Sequence, residues 1–216
     1  MKSFRILSIA LIVTFLGCKK DDPLNYSIQG KIVNARTGAP ILGVIVKMQQ
    51  QVIENGIFTG LYTDAAQTTT DGAGNFSMTW TRENIAAFRL ALDKDLYIPR
   101  DIDISTSSLG ANDVFTYNAQ LFPEAFISVH IKNELPANLI DQFNFRFDDT
   151  HFDCNCCNDD WKYFSGDNID STFTCRIYGD SWIQYERNIQ TFEQDTTILD
   201  SLFCPSFITS ELELNY

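Results

Sequence analysis

The sequence predicts an all-β fold, in which two tandem β-sandwich domains follow an N-terminal signal peptide. From Tyr26 onward, short stretches of alternating apolar and polar residues recur, turn residues separate them, and no stretch shows a convincing helical period. The composition, 44% hydrophobic and 13% aromatic, is sufficient for a buried core. Removing a 17-residue signal from the 216 residues leaves 199, which suits one large domain or two of about 100.

The first predicted domain covers residues 26–122 and contains about seven strands, enough for one sandwich. The clearest strands are 27–33, 44–48, 76–80, 88–92, 102–104 and 115–119. Asp71-Gly72-Ala73-Gly74-Asn75 predicts a tight turn, because glycine can adopt the positive φ that such turns need. The long connection 49–67 indicates an added hairpin or loop.

Three segments of this half carry a family resemblance. Gly30-Lys31-Ile32-Val33, the run from Thr37-Gly38-Ala39-Pro40 to Val44-Ile45-Val46, and Thr70-Asp71-Gly72-Ala73-Gly74-Asn75-Phe76 resemble the carboxypeptidase regulatory-like, or transthyretin-like, domain. The resemblance implies a β-sandwich whose alternate valines and aromatic residues fill the core. It implies nothing about a ligand, because one fold hosts many functions.

The second predicted domain covers residues 123–216. Leu121-Phe122-Pro123-Glu124 is the expected seam, since proline removes a ladder donor and suits a boundary better than a central strand. Alternating strands are predicted at 125–132, 143–147, 171–178, 184–188 and 208–214, and they indicate a second sandwich with a disulfide-tied loop.

Residues 1–17 have the pattern of a secretory signal. Lys2 and Arg5 precede an apolar run over residues 6–16. Eleven residues rise only about 16 Å as a helix, too little for a hydrocarbon core of about 30 Å. Cleavage is therefore favoured over a spanning anchor.

Phe15-Leu16-Gly17-Cys18 resembles the lipobox of bacterial lipoproteins. The resemblance implies a diacylglyceryl thioether on Cys18, cleavage before it and acylation of the new amino group; residues 18–25 would form a lipidated tether. Cys18-Lys19-Lys20-Asp21-Asp22 also resembles the export signal of surface lipoproteins in some Gram-negative bacteria, which implies the cell-surface side of the outer membrane. The alternative to the lipobox is an ordinary signal peptide that is cut elsewhere, with Cys18 a simple thiol. The alternative to the export signal is a solvated charged tether.

The net charge is −12, and it becomes −14 when Lys2 and Arg5 are removed with the signal. Such an acidic chain is a poor candidate for binding nucleic acid or for adsorbing to anionic lipid through its surface. We expect contact with the membrane through the N-terminal lipid, an unknown protein or glycan partner, and no nucleic acid.

Five further cysteines lie in the second half: Cys154, Cys156, Cys157, Cys175 and Cys204. In an exported protein they predict two disulfides that tie the loop 148–166 to the strands of Cys175 and Cys204, with one thiol left over. A direct Cys175–Cys204 bond is one pairing, and the connectivity stays open. The alternative is a metal site that combines His151 with this cluster, although the C-x-C-C spacing matches no usual zinc pattern.

No catalytic residue is predicted. Gly179-Asp180-Ser181 is similar to the nucleophile block of a serine esterase family, but no histidine follows His151 in the chain to activate Ser181. Gly179-Asp180 is therefore interpreted as a turn. His130 falls on the polar side of its strand and is expected at the surface or rim.

An acidic stretch between residues 148 and 170 includes three aromatic residues, Trp161, Tyr163 and Phe164. We expect either a solvated, disulfide-tied loop or a binding loop whose rings stack on sugar or peptide, with calcium support as an unsupported option. No cofactor is expected besides the lipid on Cys18.

These observations predict a non-catalytic, surface-anchored lipoprotein that displays β-sandwich domains for binding or for assembly of an envelope complex. The alternative is an accessory extracellular hydrolase or metal-binding protein that uses His151 and the cysteine cluster.

Overall fold

The computed structural model describes residues 24–54, 56–58, 60–110, 113–134, 138–148, 157–192 and 195–216. Sixteen strands and one 3-10 turn, Thr106–Ser108, lie in these ranges. The predicted all-β fold with several sheets is confirmed. Within the same ranges, no helix is long and apolar enough to cross a membrane.

Two sheets form the first half of the chain. Its strands are β1 (Asn25–Asn34), β2 (Ile45–Glu54), β3 (Ile57–Phe58), β4 (Thr63–Thr69), β5 (Asn75–Thr81), β6 (Ile85–Asp93), β7 (Arg100–Ile104), β8 (Val114–Thr116) and β9 (Ala119–Leu121). One sheet has the order β5-β1-β8, with β9 also parallel to β1. The other has the order β3-β2-β6-β7, with β4 also paired to β2.

The inner faces of these sheets share one hydrophobic cluster. Strand β5 shows how the sequence produces it: Phe76, Met78 and Trp80 are buried while the residues between them are exposed. Because successive side chains in a strand point to opposite faces, these three side chains all point into the core. Phe88 of β6 meets Trp80 edge-on, with ring centroids 5.8 Å apart.

The turn before β5 is held by two side chains of the resemblance segment. The Thr70 hydroxyl donates to the Ile41 carbonyl at 2.6 Å and accepts from the Val44 amide at 2.9 Å. The Asp71 carboxylate accepts from the amides of Ala73 and Asn75, chiefly the latter, and these bonds hold the pKa of Asp71 below its usual value. The predicted turn is confirmed.

The second half also has two sheets. Its strands are β10 (Glu124–Lys132), β11 (Gln142–Asp148), β12 (Lys162–Ser165), β13 (Asp170–Tyr178), β14 (Ser181–Gln190), β15 (Asp195–Cys204) and β16 (Thr209–Asn215). The sheet orders are β13-β10-β16 and β12-β11-β14-β15. A second hydrophobic cluster lies between them and includes Phe143, Phe145 and Phe147 of β11, which are almost fully buried.

The strand map differs from the sequence prediction in three places. The single strand expected over 115–119 is two short strands, β8 and β9, which pair with different parts of β1. Strand β12 lies in the expected loop 148–166, and β15 was not predicted. The connection 49–67 contains an added hairpin: β2 continues to Glu54, and β3 and β4 fold back on it.

Only Phe122 and Pro123 separate β9 from β10, and both halves hold this joint. The Phe122 carbonyl accepts from the Ile98 amide at 2.9 Å, and the Pro123 carbonyl accepts from the Gly179 amide at 2.7 Å. The Phe122 ring stacks on Tyr178 with centroids 4.5 Å apart, and the Arg36 guanidinium lies 5.2 Å from the Phe122 centroid. The backbone of the joint is therefore hydrogen-bonded to residues of both halves. The predicted boundary at residues 122 and 123 stays a prediction.

Gly74→Ala is expected to destabilise the protein. Gly74 has φ +78°, and a Cβ there would lie 2.5 Å from the Ile32 carbonyl oxygen. A strained backbone of this kind costs about 1–3 kcal/mol. Urea unfolding followed by circular dichroism measures the change.

Gly72→Ala in the same turn is the matched control. A Cβ at Gly72 meets nothing within 4 Å, so its unfolding free energy should stay within about 0.5 kcal/mol of wild type. Equal losses in the two variants would contradict the assignment of strain to Gly74.

Candidate functional site

The outer surface of the sheet β12-β11-β14-β15 carries exposed aromatic side chains beside polar ones. Phe143, Phe145 and Phe147 point inward from β11, so the even-numbered residues of that strand point outward. We refer to this surface as the aromatic face and define it by the following outward residues: Asn144, Arg146, Trp161, Tyr163, Trp182, Glu186, Asn188, Thr197, Leu199 and Phe203.

Two large aromatic side chains of the aromatic face are mostly exposed to solvent. Tyr163 is 73% exposed, and Trp182 is 66% exposed. Trp182 lies directly opposite Phe203 in the β14–β15 pair, with ring centroids 5.5 Å apart. Exposed apolar groups that adjoin one another on a folded surface mark interaction sites.

A row of polar side chains crosses the middle of the face. Asn144 Nδ2 donates to Asn188 Oδ1 at 3.4 Å, and Asn188 Nδ2 donates to Thr197 Oγ1 at 3.1 Å. The register places Tyr163 opposite Asn144, at the β12 end of this row. The row therefore presents amide and hydroxyl groups in line with an exposed phenol ring.

The neighbouring row contains an ion pair. Arg146 Nε donates to Glu186 Oε2 at 2.7 Å, and a second guanidinium nitrogen contacts the same oxygen. The Arg146 guanidinium carbon also lies 4.8 Å from the centroid of the Trp161 ring. These two charges neutralise each other, and the carboxylates of Asp148 and Asp195 on the same outward side leave the surface with negative charge.

The three predicted binding-loop residues do not share one surface. Tyr163 and Phe164 lie in strand β12, which was expected to be a loop, so they point to opposite sides. Phe164 is half-buried against the core beside Phe143, so it does not lie on the aromatic face, and its predicted binding role stays a prediction. Tyr163 and Trp161, which precedes β12, belong to the aromatic face.

The structure shows the bonding state of three of the five cysteines in the second half. Cys157 and Cys175 form a disulfide, with Cα atoms 5.2 Å apart. Cys204 is a buried free thiol, and burial raises the pKa of that thiol. The suggested Cys175–Cys204 bond is therefore wrong, and so is the expectation that a disulfide ties the loop to the strand of Cys204. The backbone accounts for the choice of partner. The Cys157 amide donates to the carbonyl of Arg176, which holds Cys157 beside Cys175.

Several predicted residues lie outside the described part of the chain, namely Cys18, His151, Cys154 and Cys156. Among the residues that are described, no group of three or more His, Cys, Asp or Glu side chains could hold a metal ion. Ser181 follows the predicted turn: its hydroxyl donates to the Tyr178 carbonyl, and Asp180 Oδ1 accepts from the Ser206 amide.

His130 lies on the outer face of the other sheet, as predicted for a rim histidine. Its Nε2 lies 2.8 Å from Asp170 Oδ1, and its Nδ1 lies 2.6 Å from Glu213 Oε2. These two hydrogen bonds, Asp170 first, raise the pKa of His130, and the same contact lowers the pKa of Asp170. The arrangement suits a structural imidazolium that bridges β13 and β16 across β10.

Sequence reasoning missed Trp182, Phe203 and the asparagine pair. The stretch 184–188 was recognised as a strand, but its extension to Trp182 and the existence of β15 were not. The alternation Trp182-Ile183-Gln184-Tyr185 is the signal that could have placed Trp182 on an outward face. The pairing of Trp182 with Phe203 depends on the β14–β15 register and has no local signal.

No protein-family model matches the chain, and no curated protein matches it. Several solved structures are similar in fold. The TIE protein of Bacillus anthracis is 6% identical, over 89% of this chain and 34% of its own, with a TM-score of 0.38. The shaft pilin SpaA of Lactobacillus rhamnosus GG is 8% identical, over 90% of this chain and 98% of its own, with a TM-score of 0.33.

A protein from Bacteroides uniformis that is proposed to bind carbohydrate is 13% identical, over 82% of this chain and 98% of its own, with a TM-score of 0.31. The chain spans about a third of the TIE protein that it matches. Matches at these identities and TM-scores carry no inference about this chain's function.

The stabilisation by His130 is expected to depend on pH. Because its folded pKa is raised above the ordinary value of 6.5, its contribution is fully present below that value and is lost as the pH rises through the folded pKa. The difference in unfolding free energy between wild type and His130→Gln should therefore shrink as the pH rises from 6.5 through the raised pKa of the folded state.

Urea unfolding at a series of pH values measures this difference. Ser128→Ala, two residues away on the same strand face, is the control, and its effect should not vary with pH over that range. A difference for His130→Gln that grew with rising pH would contradict the assignment.

Proposed function

We propose that this chain is a non-catalytic, lipid-anchored binding protein on the cell-surface side of the outer membrane. The lipid on Cys18 would hold the N-terminus at the bilayer, and residues 18–25 would act as a tether. The first half would then connect the tether to the second half, which presents the binding surface.

The observation that carries the binding role is the aromatic face. Tyr163 and Trp182 expose most of their side chains at fixed positions on a regular sheet. Their strands pack on the core through the opposite side, so the fold itself does not require large aromatic groups at these outward positions. A binding role accounts for them, since Tyr and Trp supply contact area at low conformational cost.

The anchor rests on the sequence alone. The apolar run over residues 6–16 leads directly into Leu16-Gly17-Cys18, and the charged residues of the export-like segment follow. Several acyl chains give stable membrane attachment, whereas a single chain binds only weakly. The resemblance of the first half to the carboxypeptidase regulatory-like domain is part of this proposal, as a passive sandwich close to the membrane.

Assembly into an envelope complex is the second candidate, and strand β15 favours it. This strand has ten residues and pairs only with β14 among the described strands. Its pairing has no bulge, it contains no proline, lysine or arginine, and its charged side chains are those of Asp195 and Asp200, of which Asp200 accepts a hydrogen bond from the Tyr185 hydroxyl. An extended segment of another protein could add to it; co-purification of a stoichiometric partner from detergent-solubilised membranes would identify such a complex.

Cys18→Ser is expected to abolish membrane attachment. Without the thiol no thioether can form, so the protein should move from the membrane fraction to the soluble fraction of the cells that produce it. Immunoblotting of the separated fractions, together with mass spectrometry of the N-terminal peptide, measures the change.

A double variant, Lys19→Ala with Lys20→Ala, separates anchoring from export. It should keep the lipid and the membrane fraction but lose accessibility to protease added to intact cells. A wild-type protein that starts at a residue other than Cys18, or that carries no fatty acid, would refute the proposed anchor.

A further inference from the structure

We propose that the aromatic face binds an uncharged polysaccharide that lies across strands β12 to β15. This inference deepens the proposed function, on which it rests for the binding role of the second half. It follows from the spacing of the rings, from the polar groups beside them and from the charges of the face.

The rings form two groups that are far apart. Trp161 and Tyr163 lie at β12, whereas Trp182 and Phe203 lie near one end of β14 and β15. Trp161 contacts Arg146, which pairs with Glu186, and Trp182 lies four residues further along β14. With about 4.8 Å between strands and about 3.4 Å per residue, Trp161 and Trp182 are roughly 17 Å apart. A ligand that touches both groups must be a chain rather than a single small molecule.

Polar side chains on the face match hydroxyl groups. The opposed Gln184 and Ser201 lie between the two ring groups, and Asn144, Asn188 and Thr197 lie in the row of Tyr163. All five carry both donors and acceptors, as a hydroxyl does. The bond between the two asparagines is 3.4 Å, longer than the usual 2.7–3.2 Å, so a ligand hydroxyl could replace it without loss. The C–H groups of sugar rings would pack on the faces of the indole and phenol rings. This contact is favourable because the face of an aromatic ring is negative and a C–H group is weakly positive.

The charges disfavour an anionic ligand. Arg146 is held by Glu186, and Lys162 is directed to Asn158 and to the Phe173 ring. The chain as a whole carries a net charge of −12. A polyanion would meet no compensating charge from these two cations and would be repelled by the rest of the protein.

The distribution of apolar groups disfavours a protein partner on this face. The buried centre of a protein interface is depleted of charged residues, and apolar and aromatic groups concentrate there. Here the order is reversed: the aromatic groups lie toward the edges, and Asn144, Arg146, Glu186 and Asn188 occupy the middle. A chain of hydroxylated rings fits this alternation of apolar and polar strips.

Affinity electrophoresis of the detergent-solubilised, full-length lipoprotein tests the proposal. Native gels would contain xyloglucan, mixed-linkage β-glucan, galactomannan or α-mannan as neutral probes, and alginate or heparin as anionic probes. We expect at least one neutral polysaccharide, and neither anionic one, to retard the protein. Trp182→Ala should weaken that retardation by roughly tenfold or more, because it removes the most exposed indole of the face, and Trp182→Phe should weaken it less.

Phe126→Ala is the matched control, because Phe126 is an exposed ring on the outer face of the sheet β13-β10-β16. It should leave the retardation unchanged, and thermal unfolding would verify that all variants are folded. Retardation by the anionic probes only, retardation by none of the probes, or equal effects of Trp182→Ala and Phe126→Ala would overturn the proposal. A failure of the anchor does not alter these gels, so the two proposals fail separately.

Discussion

The inward packing of β11 is the constraint on which the second half depends. Phe143, Phe145 and Phe147 are nearly inaccessible to solvent, and a shift of one residue in register would expose all three. Their burial fixes the pairing of β11 with both β12 and β14. The outward positions of those strands are fixed as a result, so the aromatic face is a consequence of the core on the other side of the sheet.

Two further contacts keep this sheet in place relative to the remaining chain. The Cys157–Cys175 disulfide joins the segment before β12 to β13 of the facing sheet. At the other end, the backbone of Phe122 and Pro123 is hydrogen-bonded to both halves. The aromatic face is thus built on regular strands and not on loops, and as a proposed binding surface it suits an extended ligand better than a small buried one.

Much of the fold was predictable, because most strands alternate cleanly. Strand β5 buries every second residue, and β10 does so almost as regularly. Strand β15 was missed because Leu199 and Phe203 are apolar on its outward side, so no alternation marks it. The segment before β12 is rich in aspartate, which favoured a loop and hid the outward position of Tyr163.

The site was less predictable than the fold. The acidic, aromatic-containing stretch predicts a binding role for Trp161 and Tyr163, but their neighbours on the face come from β11, β14 and β15. Those neighbours meet only through strand register, which a single sequence does not reveal. The disulfide was anticipated as a class, whereas the choice of Cys157 over Cys204 as the partner of Cys175 depends on which sheet each strand joins.

The tryptophans allow the most direct measurement of ligand binding, because the chain contains only three. Trp161 and Trp182 lie on the aromatic face, whereas Trp80 is buried in the first hydrophobic cluster. In ¹H–¹⁵N spectra, a neutral oligosaccharide should shift the indole signals of Trp161 and Trp182 with one common affinity and leave that of Trp80 in place. Unchanged signals for Trp161 and Trp182 at saturating ligand, or a shift confined to Trp80, would contradict the account.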